Sequence, residues 1–255
     1  MRMVTLTENT ASLNGLAAEH GLSLYIETES HKILFDAGQS AAFADNAEKL
    51  GIDLSEVDLA VLSHGHYDHG GGFARFLEIN DKAPIWMNVH AFEPHFNASD
   101  KDIGLDPALR ESRRIRFAED GQTIGRGLTL YSRMGCPYGI RPFGLTMGNR
   151  IPEDFRHEQY LLLEEAGKRI LISGCSHRGI LNIMAHFRPD VLIGGFHFMK
   201  MDPAGPELEA AAAALLRCPC TYYTGHCTGE EQFTALKAIL GEKLHRLSGG
   251  VEIHL

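Results

Sequence analysis

At 255 residues, 44% hydrophobic and 22% charged, the chain has the composition of a globular domain long enough to bury a substantial core. A formal net charge of -9 argues against a general nucleic-acid-binding surface, and no apolar run approaches the ~20 residues that cross a bilayer. The segment Met1-Arg2-Met3-Val4-Thr5-Leu6 lacks the long apolar stretch of a signal peptide, and five scattered cysteines fit a reducing, cytoplasmic location. Cys218-Pro219-Cys220 has no second pair to complete a metal site and reads as structural.

Short apolar or β-branched runs come first, over Val4–Thr7, Leu22–Thr28 and Lys32–Phe35, with a turn at Glu29–His31 between the last two. Ala41, Phe43, Ala44, Ala47 and Leu50 share one face and predict a helix over Ser40–Leu50. A buried strand is expected over Val57–Leu62, a helix over Phe73–Ile79 and a strand over Pro84–Asn88. Residues 99–120, which carry Arg110, Arg113, Arg114 and Arg116, read as an excursion made of a helix and an edge strand. A strand over Leu128–Ser132 leads into Arg133–His157, a loop rich in Gly and Pro whose length suits a lid or a plain surface excursion. Strands then follow over Gln159–Glu164, Arg169–Ser173, Val191–Phe196, Thr221–Thr224 and Val251–His254, with helices over Arg178–Phe187, Pro206–Leu216 and Glu230–Leu240. Two successive groups of strands and helices imply two packed sheets with helices outside, in one domain spanning 1–255.

The chemistry concentrates in Ser63-His64-Gly65-His66-Tyr67-Asp68-His69-Gly70-Gly71-Gly72, where three imidazoles and a carboxylate fall within six residues just past a strand. From a strand end, His64 and His66, two apart, project to the same side, while Asp68 and His69 lie where a turn swings them toward a second point. Imidazole and carboxylate are ligands for zinc, manganese or iron. Two more histidines follow strands in a Gly-x-x-His or Gly-His context: His177 in Gly174-Cys175-Ser176-His177 and His226 in Gly225-His226-Cys227.

The His-x-His-x-Asp-His pattern, with Leu-Ser before it and Gly-Gly after it, resembles the signature of the metallo-β-lactamase superfamily of metal-dependent hydrolases. The phrases Glu8-Asn9-Thr10, Leu34-Phe35-Asp36-Ala37-Gly38, Gly174-Cys175-Ser176-His177, Gly194-Gly195-Phe196-His197 and His226-Cys227-Thr228-Gly229 resemble its 7,8-dihydropterin-6-methyl-4-(β-D-ribofuranosyl)aminobenzene-5′-phosphate synthase-like branch. The resemblance implies an α/β fold, an αββα sandwich of two mixed sheets. It also implies one or two divalent metal ions, with zinc expected first and manganese or iron as alternatives. His64, His66 and His177 would hold one ion, and Asp68, His69 and His226 the other. Asp68 would also orient an attacking water, in hydrolysis of a small, anionic, phosphoester or pterin-related substrate.

Cys175 stands where many members carry a bridging Asp; it is either a thiolate ligand or a small buried residue. His197 is a candidate ligand or substrate contact, and Asp36 either orients a ligand histidine or caps a turn. Arg178 and the Arg110–Arg116 cluster are candidates to grip an anion. A non-hydrolytic metal protein on the same fold, a redox centre or a ligand-binding sensor, is the alternative.

Overall fold

The computed structural model describes residues 1–255 and contains two seven-stranded sheets and one small three-stranded sheet. The first large sheet runs Glu252–His254, Arg2–Thr7, Ser23–Glu27, Lys32–Phe35, Leu59–Val61, Ile85–Met87, Ile115–Phe117 across its width. The second runs Leu244–Arg246, Thr221–Thr224, Val191–Ile193, Lys168–Ile172, Tyr160–Glu165, Leu128–Tyr131, Gln122–Gly125. Each is antiparallel at one side and parallel at the other. The strands that lead into the candidate ligands lie in, or at the edge of, these parallel regions, and loops at the carboxyl ends of parallel strands are held by a rigid sheet.

Side-chain alternation explains the layers. Ile33, Phe35, Leu59 and Val61 face the second sheet, where they meet Leu161, Leu163, Ile170, Ile172, Val191 and Ile193. Their neighbours Leu34, Ala60 and Leu62 face outward onto the helices Ala42–Lys49 and Phe73–Ile79, through Phe43, Ala47, Phe73 and Phe76. Leu162, Leu171 and Leu192 do the same beneath Ile180–Phe187, Pro206–Leu216 and Glu230–Leu240. Strands buried on both faces read as unbroken apolar runs, which is why they stood out in the sequence. The result is the αββα sandwich. No helix is long and apolar enough to cross a membrane.

Three local expectations are corrected. The helix within 99–120 is only a 3-10 turn, Pro107–Glu111, capped by Asp106, whose carboxylate accepts from the Ala108 amide at 2.9 Å; the edge strand is present at Ile115–Phe117. Three of the arginines there have local partners: Arg114 bonds the main chain and side chain of Asn80, Arg116 bonds the Arg113 carbonyl, and Arg110 lies over Phe92 and Phe117. The loop 133–157 is not bare: Thr146–Met147 pairs with His95–Phe96 and with Ile151–Pro152, forming the small sheet. Strands at Gln122–Gly125 and Leu244–Arg246 were not anticipated.

Candidate metal centre

The strand Leu59–Val61 ends in a turn organised by one carboxylate. Asp36, at the end of the neighbouring strand Lys32–Phe35, accepts from the Ser63 amide at 2.7 Å, from Ser63 Oγ at 2.7 Å and from His69 Nδ1 at 2.6 Å. Asp36 is fully buried with φ of 56°, a left-handed conformation that Asp tolerates better than bulkier residues. The site thus fixes a strained turn to aim one side chain. Gly65 passes so close to the Ala91 carbonyl that a Cβ would collide with it, so the space between His64 and His66 admits no side chain.

Hydrogen-bond partners set the tautomers. Ser63 Oγ donates to Asp36 and therefore accepts from His64 Nδ1 at 2.8 Å, which turns the lone pair of His64 Nε2 into the site. His69 Nδ1 donates to Asp36, and His226 Nδ1 donates to Asn9 Oδ1 at 2.8 Å. Both Nε2 atoms then face inward, and each offers a lone pair there once a cation displaces any proton it carries.

Those lone pairs converge in two groups. His64 Nε2 and His177 Nε2 stand 3.3 Å apart, and His66 offers a third atom within 4.8 Å of both. His69 Nε2 stands 3.2 Å from His226 Nε2 and 3.1 Å from Cys175 Sγ, while Asp68 Oδ2 lies 3.3 Å from His226 Nε2 and 3.7 Å from His69 Nε2. Two donors bonded to one zinc at ~2.0–2.1 Å in a tetrahedron stand ~3.3–3.4 Å apart, so the spacing and chemistry of this donor set fit a divalent cation. Cys175 groups with His64 and His69, with His177 and His197, and with His226 and Cys227. Its sulfur therefore lies between the two groups, where a bridging carboxylate was missed in the sequence.

Electrostatics separates the groups. Burial, then neighbouring imidazoles, push His64 and His177 well below the ordinary histidine range, and burial brings His66 down to about 3. Burial opposes protonation of His69 too, but Asp36 and Asp68 overcome it and raise His69 to about 9. Burial would raise Asp68; His69 and His226 hold it well below the usual carboxylate range instead. Burial pushes the Cys175 thiol up, a direction that a coordinated cation reverses.

His197, in the left-handed region with φ of 54°, lies 4.2 Å from the His177 ring, centre to centre. Arg178 is turned away: its guanidinium donates to the Ser132 and Met134 carbonyls at 2.8 and 3.2 Å and lines a separate polar cleft with Arg133 and Arg156. Several supporting residues escaped the sequence reading. Glu8 accepts from the His226 amide, Glu158 accepts from the His177 amide at 2.7 Å, and His20 Nε2 lies 3.3 Å from Asp68 Oδ2. Their one signal is position, since Glu8 directly follows a strand and Glu158 precedes one.

Residues 17–139 match the family described as the Metallo-beta-lactamase superfamily. An uncharacterized protein of Methanocaldococcus jannaschii is 30% identical over 76% of this chain and 78% of its own length. The 7,8-dihydropterin-6-methyl-4-(beta-D-ribofuranosyl)-aminobenzene-5'-phosphate synthase of the same organism is 27% identical over 98% of this chain and 95% of its own. Among solved structures, a metal-dependent hydrolase of the beta-lactamase superfamily superposes with a TM-score of 0.87 at 28% identity, covering 100% of this chain and 99% of that one.

Proposed function

From the premise that this chain belongs to the metallo-β-lactamase superfamily, we propose that it is a metal-dependent hydrolase of a small substrate, with two zinc-type ions held at one centre. His64, His66 and His177 would hold one ion; Asp68, His69 and His226 would hold the other, with the Cys175 sulfur between them. Bound there, the cations would lower the pKa of a water toward neutrality and polarise the scissile group. The observation that carries this reading is the convergence of five imidazoles and a carboxylate, with the rings of His64, His69 and His226 each oriented by a partner outside the centre.

The chain's own residues support the rest. Asp68 stays ionised and is too acidic to keep a proton, so its role is to accept a hydrogen bond and orient the attacking water. Next to the centre opens a cavity of about 410 Å³, lined by Tyr138, Phe143, Ile180, Phe196, Phe198 and Met201, with His177 and His197 among its polar groups. Tyr138 and Phe143 come from the 133–157 loop, which thereby forms one wall and helps exclude water. An apolar slot of this kind suits a substrate with a flat, poorly solvated body. Arg141, paired with Glu207, is the cation available to a substrate anion in this cavity, in place of Arg178.

Metal analysis of wild type and His66→Ala, with a panel of phosphodiesters and lactones, tests the assignment. The expected result is about two ions per wild-type chain, fewer in the variant, and hydrolysis by the wild type alone. Stoichiometric metal in a wild type as inert as His66→Ala across the panel sinks the hydrolase reading in favour of a redox or sensing centre.

A further inference from the structure

Behind His66 lies a second buried cluster that the proposed reaction does not use. His66, His95, Glu153 and His157 are all buried, and each presents one N or O within 4.8 Å of the others. The small sheet assembles it. Met147 sits opposite His95 and Ile151 in the register, and the Glu153 amide donates to the Leu145 carbonyl at 3.1 Å, so the end of the 133–157 loop is folded onto the turn that carries His66.

Three imidazoles and a carboxylate have the composition of a metal site, but their hydrogen bonds do not leave the lone pairs for one. The Gly65 amide donates to His157 Nδ1 at 2.8 Å, so a neutral His157 carries its proton on Nε2 and cannot ligate there. His95 Nδ1 donates to Glu153 Oε2 at 2.8 Å, which leaves a lone pair on His95 Nε2. The Nε2 atoms of His66, His95 and His157 are all buried without a partner. Assigning His66 Nε2, the fully buried nitrogen without a partner, to this cluster leaves Nδ1 for the metal centre, and a ring that ligates through Nδ1 carries its proton on Nε2. The cluster therefore offers two donors, His66 Nε2–H and His157 Nε2–H. It offers two acceptors, His95 Nε2 and Glu153 Oε1, the latter 3.6 Å from His157 Nε2. Two donors and two acceptors around one point are the complement of a single buried water.

We propose that His95, Glu153 and His157 are positioning residues that fix the ring of His66 from behind, through a four-cornered junction of two donors and two acceptors. The junction ties the base of the loop that walls the substrate cavity to a ligand of the metal centre. It rests on the metal-centre reading above and adds residues and a linkage that the reading does not contain.

The test uses the full chain, stripped of metal and titrated with cobalt(II), in wild type, Glu153→Gln and Glu153→Asp. Affinity is read by chelator competition, ligand geometry by the d–d absorption, and tautomers by nitrogen-15 NMR of the metal-free imidazoles. Expected are an Nε2–H tautomer for His157 and an Nδ1–H tautomer for His95. Glu153→Gln should weaken cobalt binding 10–100-fold and shift the d–d band, with partial rescue by Glu153→Asp. Equal affinity and spectrum in wild type and Glu153→Gln, or an Nδ1–H tautomer at His157, overturns the junction while leaving the metal centre standing. A third cobalt ion that His95→Gln abolishes also overturns it and makes the cluster a metal site. A wild type that binds no cobalt overturns the metal-centre reading itself, and the junction with it.

Discussion

The two halves of the centre differ in charge and in what holds them. His64, His66 and His177 form a group of neutral imidazoles, kept neutral by burial and by one another. The group of Asp68, His69 and His226 contains one carboxylate as a donor and a second, Asp36, directly behind His69. Support differs in charge too. In the first group a hydroxyl, Ser63, holds the His64 ring and Glu158 holds the His177 amide, whereas in the second Asp36 holds the His69 ring, Asn9 the His226 ring and Glu8 the His226 amide. An ion in the first group gains little from charge and depends on geometry; one in the second meets a net negative pocket already formed. A chain that lacks the bridging Asp still brings negative charge to the second group, from Asp36 and Asp68, and places a sulfur where the bridge was expected.

Removing the charge at its source is the harshest way to break this contrast. Asp68→Asn should lose close to one ion per chain and lower hydrolysis by on the order of 10²–10⁴, since a ligand and a water-orienting acceptor go together. Metal content and turnover on the same preparation measure both. If Asp68→Asn keeps both ions, the second half does not owe its affinity to charge.

A gentler pair sharpens the contrast. Asp36→Asn keeps the shape behind His69 but removes the anion, and should weaken the second-group ion 10–100-fold. Glu158→Gln touches a ligand's amide rather than its ring and should cost less than about tenfold. Competition titrations with a chromogenic chelator rank the two; a larger loss in Glu158→Gln would invert the comparison.

The sequence made the sandwich readable because buried parallel strands are continuous apolar runs and the helices carry clean apolar faces. The candidate ligands stood out for a related reason: each follows a strand, and topology brings those strand ends together. What escaped were the groups that act at a distance along the chain. Glu8 lies 218 positions from the His226 amide it accepts from, and His157 lies 92 from the Gly65 amide, separations over which no local pattern operates. The two-residue strands Thr146–Met147 and Ile151–Pro152 are too short for periodicity to register, so their loop read as bare. The direction of the Arg178 side chain was not legible, because adjacency to His177 says nothing of where a long side chain turns.

The smallest effect is a dependence on pH that has opposite signs in the two halves of the metal-free protein. His64 and His177 have folded values depressed below the unfolded value of ~6.5, so the unfolded chain binds protons first as pH falls. Their contribution is present above ~6.5 and is lost on acidification. His69 is raised to about 9, so the folded chain holds a proton that the unfolded chain releases. Its contribution is full below ~6.5 and is lost as pH rises through about 9. Melting temperatures of metal-free protein should therefore fall by a few degrees on both sides of neutrality. Asp36→Asn removes the anion that holds the proton on His69 and should flatten the alkaline limb alone, leaving the acid limb, which belongs to the neutral imidazoles, in place. An alkaline limb that survives Asp36→Asn unchanged would mean that Asp36 does not charge His69, and the contrast between the halves would then rest on Asp68 only.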